Sequence, residues 1–171
     1  MTSAVTEIGP VVRSADEGEA LWTMGQLMLV KASSQQTGGE MAAMDVRMNW
    51  MAAPPLHIHH HESEVNVVLE GEITVRCGDE TWECGPGSFI YLPKGVPHAF
   101  RPGPGGARML FIALPGGIET LYETVGTPAE EPRLPDLPPN IEGWMEHASR
   151  YGLELVGPPI PPRSASPGPL G

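Results

Sequence analysis

Between residues 41 and 114 glycines and prolines punctuate the chain, and the apolar runs between these breaks are short. This is the texture of a β-sandwich or barrel, in which brief strands are joined by tight turns. Residues 41–48 set Met44, Val46 and Met48 against Asp45 and Arg47, the alternation of a half-buried strand. Residues 65–77 read as two strands broken at Glu70-Gly71. Gly78-Asp79 then turns into a strand at 81–84, Gly85-Pro86-Gly87 into 88–92, and Pro93-Lys94-Gly95 into 98–100, with 108–114 closing the series. Upstream, 21–24 and 27–30 flank Gly25 as strand material, and 35–39 is a turn-rich break. The prediction is an all-β fold, a jelly-roll barrel whose two packed sheets share one interior.

The 171 residues, 40% of them hydrophobic, are enough for one domain with its own core. The expected division is an N-terminal arm and first strands at 1–40, the barrel core at 41–114, a helical extension at 115–156 and a proline-rich tail at 157–171. In the extension, Ile118, Leu121, Tyr122 and Val125 recur at helical spacing after Gly116-Gly117. Asn140 can cap a second helix with apolar face Ile141, Trp144, Met145, Ala148 and Tyr151, stopped by Gly152. Both short helices are expected to pack outside the barrel, and the tail to be extended or disordered.

A formal charge of -11 leaves no basic stripe to displace counterions from phosphates, so no nucleic-acid partner is expected. Residues 1–10 do not read as a signal peptide, and no apolar run approaches the roughly 20 residues of a membrane span. The expected setting is the cytoplasm, with no membrane partner, and with Cys77 and Cys84 as free thiols. A homodimer is expected, because an N-terminal strand within 21–30 could add to a partner's sheet and cover an exposed edge.

The chemistry concentrates in a few residues. His57 and His59 fall two apart, so on an extended strand both imidazoles share a face. Glu64 follows after space for a tight turn, and His98 follows the Pro93-x-Gly95 turn, which could return a third imidazole to the same interior. Three nitrogens and a carboxylate oxygen suit a divalent transition metal (Fe, Mn, Ni, Cu or Zn) with positions left open for a small-molecule substrate. His60 has the opposite parity and should point away, His61 sits at the turn, and His147 belongs to a helix surface. Asn66 shares the parity of Glu64 and should face the cavity. There it either bonds neighbouring backbone or orients a substrate group, since a buried amide needs partners. Met48, Trp50, Phe89, Tyr91, Phe100 and Phe111 are candidates for a pocket lining or for ordinary core.

The stretch from His57-Ile58-His59 through Glu64 to Gly71 resembles the first motif of the cupin superfamily. Gly87, Pro93, Gly95 and His98 resemble its second. The short segment between them is similar to that of small single-domain metal-binding cupins, the quercetinase-like ones among them. The resemblance implies a jelly-roll fold and a metal held by His57, His59, Glu64 and His98. Its spacing selects Glu64 over Glu62 as the carboxylate ligand. Two positions depart from the pattern: Pro102 stands where an Asn often follows, and Asn66 where related sequences often carry an aromatic.

The resemblance further implies a metal-dependent enzyme. The leading expectation is a dioxygenase acting on a phenolic or enolic molecule, with Glu64 as ligand and base and Asn66 beside the reacting group. A non-redox isomerase or polyketide cyclase is the alternative, and a ligand-binding barrel without turnover is a third reading, since a fold alone does not choose the chemistry.

Overall fold

A computed structural model describes residues 8–136 and 140–162. Its first hairpin joins β1 (Glu19–Thr23) to β2 (Gln26–Ala32) through Met24-Gly25, both at positive φ (53° and 72°). Two-residue hairpin turns favour this left-handed pair because its twist matches that of the strands. Met24 adopts it against the steric preference of a side chain. The break expected at 35–39 contains a short helix, α1 (Ser34–Thr37). Ser33 and Gln36 cap it reciprocally, and Gly38 ends it at φ 66°.

Six strands follow: β3 (Ala42–Met48), β4 (Leu56–His59), β5 (Ser63–Cys77), β6 (Glu80–Cys84), β7 (Phe89–Leu92) and β8 (His98–Leu114). The two long ones organise the barrel. β8 pairs with β3 and then β4 along one edge and with β5 along the other, while β5 pairs with β7 and β6 along its second edge. The breaks expected inside 65–77 and 98–114 are therefore irregularities within continuous strands: residues 103–106 of β8 have no partner on β5, and the pairing resumes on both sides of them. The register of β5 on β8 shifts around Glu70 and Gly71, where φ at Gly71 is 74°. A Cβ on Gly71 would lie 2.2 Å from the Gly106 oxygen, and one on Gly106 would lie 2.5 Å from the Met48 oxygen. Three backbones thus meet at one corner that only glycine admits.

Alternation selects the interior. Met44, Val46, Met48, Val68, Ile73, Val75, Met109, Phe111 and Ala113 are buried in one core cluster. Burying each of the larger side chains contributes about 1.5–3 kcal/mol before the entropy of ordering it is subtracted. The polar face of β3 is covered too. Arg108 grips Asp45 through two nitrogens, at 3.0 Å and 2.7 Å, and reaches Glu70 at 2.9 Å.

After the barrel come α2 (Glu119–Val125), β9 (Thr127–Pro128), α3 (Ile141–Ala148), a turn of 3-10 helix (Ser149–Tyr151) and β10 (Leu153–Gly157). The helices lie outside the strands, as their apolar stripes predict. The extension expected to be helical to residue 156 instead ends in β10, which pairs antiparallel with β4. Gly152, at φ 77°, turns the chain into it. The start of the tail is also docked: the Pro158 carbonyl accepts from Leu56 N and the Ile160 carbonyl from Arg101 Nε. The rest of the tail, 163–171, and the arm at 1–7 lie outside the described residues. Residues 21–30, expected to reach a partner's sheet, pair within the chain, β2 lying between β1 and β3. No helix among the described residues is long and apolar enough to cross a membrane.

Candidate metal centre

Four buried side chains converge on the inner wall: His57 and His59 from β4, Glu64 from β5, and His98 from the start of β8. Strand pairing brings them together. His57 stands opposite His98 in the β4–β8 ladder, and Glu64 opposite Ala113 in the β5–β8 ladder. One donor atom from each residue lies within 4.8 Å of the others.

The second nitrogen of each imidazole is already committed. His57 Nδ1 donates to the Pro55 carbonyl at 2.7 Å and His98 Nδ1 to the Val96 carbonyl at 3.0 Å. His59 Nδ1 meets Glu62 Oε1 at 2.5 Å. Carbonyls and carboxylates only accept, so each partner assigns the proton to Nδ1 and leaves the Nε2 lone pair free for the interior. The Nε2 atoms of His59 and His98 are buried without a hydrogen-bond partner, 2.9 Å and 3.6 Å from Glu64 Oε1. Lone pairs facing a carboxylate in a buried site repel unless a positive charge lies among them. The residues therefore fit a divalent metal, with all four donors arranged to serve it.

Electrostatics point the same way. Burial, reinforced by His98 and His59, lowers the His57 pKa to about 3 and keeps the ring neutral. Burial also opposes protonation of His59, but the Glu64 charge and the Glu62 hydrogen bond outweigh it and raise that pKa to about 9. Burial works against ionised Glu64 as well, yet His59 and His98 hold its carboxyl well below the usual range. Without an ion, a proton on His59 supplies the positive charge that this wall is built to hold.

Asn66 lies on the Glu64 face, as parity predicts, and is only 3% exposed. Its Nδ2 donates to Glu64 Oε2 at a long 3.4 Å, and its Oδ1 is buried without a partner. Among the described residues, no backbone group satisfies this amide. His60 points away and meets Glu154 at 2.9 Å. His61 packs its ring over Gly152, where a Cβ would lie 1.9 Å from it. His147 accepts no role in the centre, its Nδ1 donating to the Gly143 carbonyl at 3.0 Å.

A cavity of ≈ 30 Å³ adjoins His57 and Glu64, lined by Met24, Met28, Val46, Met109, Phe111, Tyr122 and Trp144 among others. Of the six residues proposed as lining, Phe100 and Phe111 take part. Met48 is buried in the core, whereas Trp50, Phe89 and Tyr91 are 50%, 68% and 57% exposed. Register explains the last two. Leu92 and Ile90 stand opposite Glu64 and Asn66, so Tyr91 and Phe89, which alternate with them, face outward with Val65 and Val67.

Residues 45–113 match the cupin domain family, and both halves of the metal cluster fall inside that span. The barrel is a cupin domain. Over 121 residues the chain is 26% identical to quercetin 2,3-dioxygenase of Bacillus subtilis, an alignment covering 71% of this chain and 36% of that protein. Among solved structures, an RmlC-like cupin from Shewanella frigidimarina superposes with a TM-score of 0.55 at 19% identity, covering 63% of this chain and 93% of the other. An oxalate decarboxylase variant from Bacillus subtilis gives 0.53 at 22% identity, over 70% of this chain and 33% of that one. The two structural likenesses concern the fold.

Three residues around the cupin site were not singled out by sequence reasoning. Glu62 entered only as a rival ligand, yet it holds the far nitrogen of His59 and sets that ring's orientation. Tyr122 and Trp144 were read as helix packing, yet both line the cavity. Trp144 stands edge-on to His57, ring centres 5.7 Å apart and planes at 88°. Helical periodicity gives the face on which a residue lies, and carries no signal about what that face meets.

Proposed function

We propose that this cupin domain is a metal-dependent oxygenase acting on a phenolic or enolic small molecule bound at the His57–His59–Glu64–His98 centre. The observation that carries the reading is the direction in which the donors open. Three lone pairs and one carboxylate hold one side of the site, and the other side is an apolar, aromatic-bearing cavity. The likeness to quercetin 2,3-dioxygenase, whose name specifies oxygenation of a phenol, supports the substrate class.

A bound divalent transition metal would supply Lewis acidity, redox capacity and open coordination positions favouring a deprotonated phenolic or enolic oxygen. The protein does the rest. Pro55, Val96 and Glu62 fix the imidazoles in the Nδ1–H form. Glu64 turns Oε1 toward the imidazoles and Oε2 toward Asn66, so Oε2 is the acceptor placed to take the hydroxyl proton of an incoming substrate. Asn66 steadies that oxygen by donating to it from Nδ2. Met28, Met109 and Phe111 give the cavity an apolar lining, which strengthens each of these contacts once a substrate displaces water from it.

The test is oxygen uptake by protein reloaded in turn with Fe(II), Mn(II), Ni(II), Cu(II) and Zn(II), with a flavonol and catechol as substrates. Uptake that matches substrate loss with one of the first four metals, and is absent with Zn(II), is the expected result. Conversion without oxygen would replace the reading with isomerase or cyclase chemistry. Binding without conversion under every metal would make the domain a ligand-binding barrel.

A further inference from the structure

The cavity beside the metal ligands, at ≈ 30 Å³, has room for a water molecule or two and none for a ring. A ring-sized substrate therefore enters only if part of the lining moves. Most of the lining belongs to strands held by ladders: Met28 on β2, Val46 on β3, Met109 and Phe111 on β8. Tyr122 rides on α2, which is pinned by Glu119 to the backbone of Ser34 (2.6 Å) and Gly117 (2.8 Å). Trp144 differs. Among the described residues, no hydrogen bond or ion pair joins α3 to a strand, and α3 meets the site through the indole itself.

That indole carries an unmet demand. Trp144 is 2% exposed, and its Nε1–H is buried with no acceptor among the described residues. A buried donor left without a partner is a standing cost that any well-placed acceptor removes. Trp144 lines the cavity beside the metal ligands, its ring centre 5.7 Å from that of His57, so a molecule lying in that cavity against the centre is the one that can bring an oxygen to this donor.

We infer that Trp144 is the substrate-recognition residue of the site. Its indole N–H donates to an oxygen of the bound substrate, and α3 yields to let the substrate's ring between Trp144 and the barrel wall. The inference rests on the proposed reading for the substrate class, whereas the donor itself would serve any ligand with an acceptor oxygen.

Zinc-loaded protein labelled with ¹⁵N at its four tryptophans tests this without turnover. Trp144→Phe assigns the Trp144 indole signal, and its metal content is expected to equal that of the wild type. Catechol and benzoate serve as probes, the second an oxygen ligand that is not a phenol. Catechol should move the Trp144 indole proton downfield, and Trp144→Phe should weaken its binding about tenfold by calorimetry, the usual scale for one hydrogen bond. A response to benzoate with none to catechol upholds Trp144 as the recognition residue and overturns the phenolic reading. Catechol binding that leaves the indole signal in place, with affinity unchanged in Trp144→Phe, overturns the inference and leaves the phenolic reading standing. Binding of neither probe overturns both.

Discussion

The cavity has two sides, and they are held in different ways. On one side β4, β5 and β8 present the four ligands from strands bonded into a ladder, β4 itself between β8 and β10. On the other side α3 presents one indole and makes no hydrogen bond to the barrel among the described residues. Backbone ladders fix side chains to fractions of an ångström, which a metal demands. Side-chain packing alone allows an element to shift, which a cavity this small demands if a ring is to enter. The division assigns ion binding to the barrel wall and ligand entry to the helix, so each side should respond to its own perturbations.

The largest effect is expected on the wall. His57→Ala/His98→Ala removes two of four donors, and metal content by elemental analysis should fall from one ion per chain to background. His60→Ala, on the opposite face of the same strand, should retain the full ion. Full occupancy in the double variant would remove the assignment of the ligands.

The next effect is that of pH. His59 must lose its proton to become a ligand, and its pKa stands at about 9. Between neutral pH and about 9, each ion bound should displace about one proton, so affinity rises about tenfold per pH unit and then flattens. The metal-free protein should behave oppositely over that range. His59 is raised from 6.5, so its contribution to stability is complete below pH 6.5 and lost as pH climbs through 9. His57 is lowered from 6.5 to about 3, so the unfolded chain binds more protons between those values and stability falls as pH drops through them. Melting temperatures of metal-free protein should therefore peak near pH 6.5, and a peak at 9 would contradict the assignment.

Much of this wall was legible in the sequence, because period-two parity is a local property. It places His57 with His59, turns His60 away, and puts Asn66 beside Glu64, all without knowledge of the register. What needed the register was hidden. Phe89 and Tyr91 face outward because Leu92 stands opposite Glu64, a pairing between residues far apart in sequence. Gly71 and Gly106 look like strand breaks, yet they serve as the corner where two continuous strands bend. β10 was missed because Leu153-Glu154-Leu155-Val156 is a short alternation directly after a helix. The role of Trp144 was invisible for a different reason: an apolar stripe on a helix is the same pattern whether it meets core or cavity.

Smaller effects separate the layers of the wall. Glu62→Gln keeps the size of the side chain but takes the charge from behind His59. Metal affinity should fall about tenfold, the lower end of the range for a group that orients a ligand. Asn66→Leu should leave the ion in place and the barrel folded while turnover falls on the order of tenfold. Unchanged turnover with a lowered melting temperature would make Asn66 a packing residue.

The smallest expected effect tests the helix side. Asn140 caps α3, its side-chain oxygen accepting from Gly143 N at 3.0 Å. Asn140→Ala leaves that amide without its acceptor and should cost about 0.5–2 kcal/mol of helix stability. If α3 is held only by packing, the loss should stay local. Amide exchange should quicken across Ile141–Ala148 while exchange in β5 and β8, metal affinity and ligand geometry remain as in the wild type. The Trp144 indole proton should exchange faster as well, because the same loosening admits water to the cavity that it lines. Equal protection of α3 and β8 before the substitution, or a drop in metal affinity after it, would show that helix and wall open as one unit, and the division of labour between them would fall.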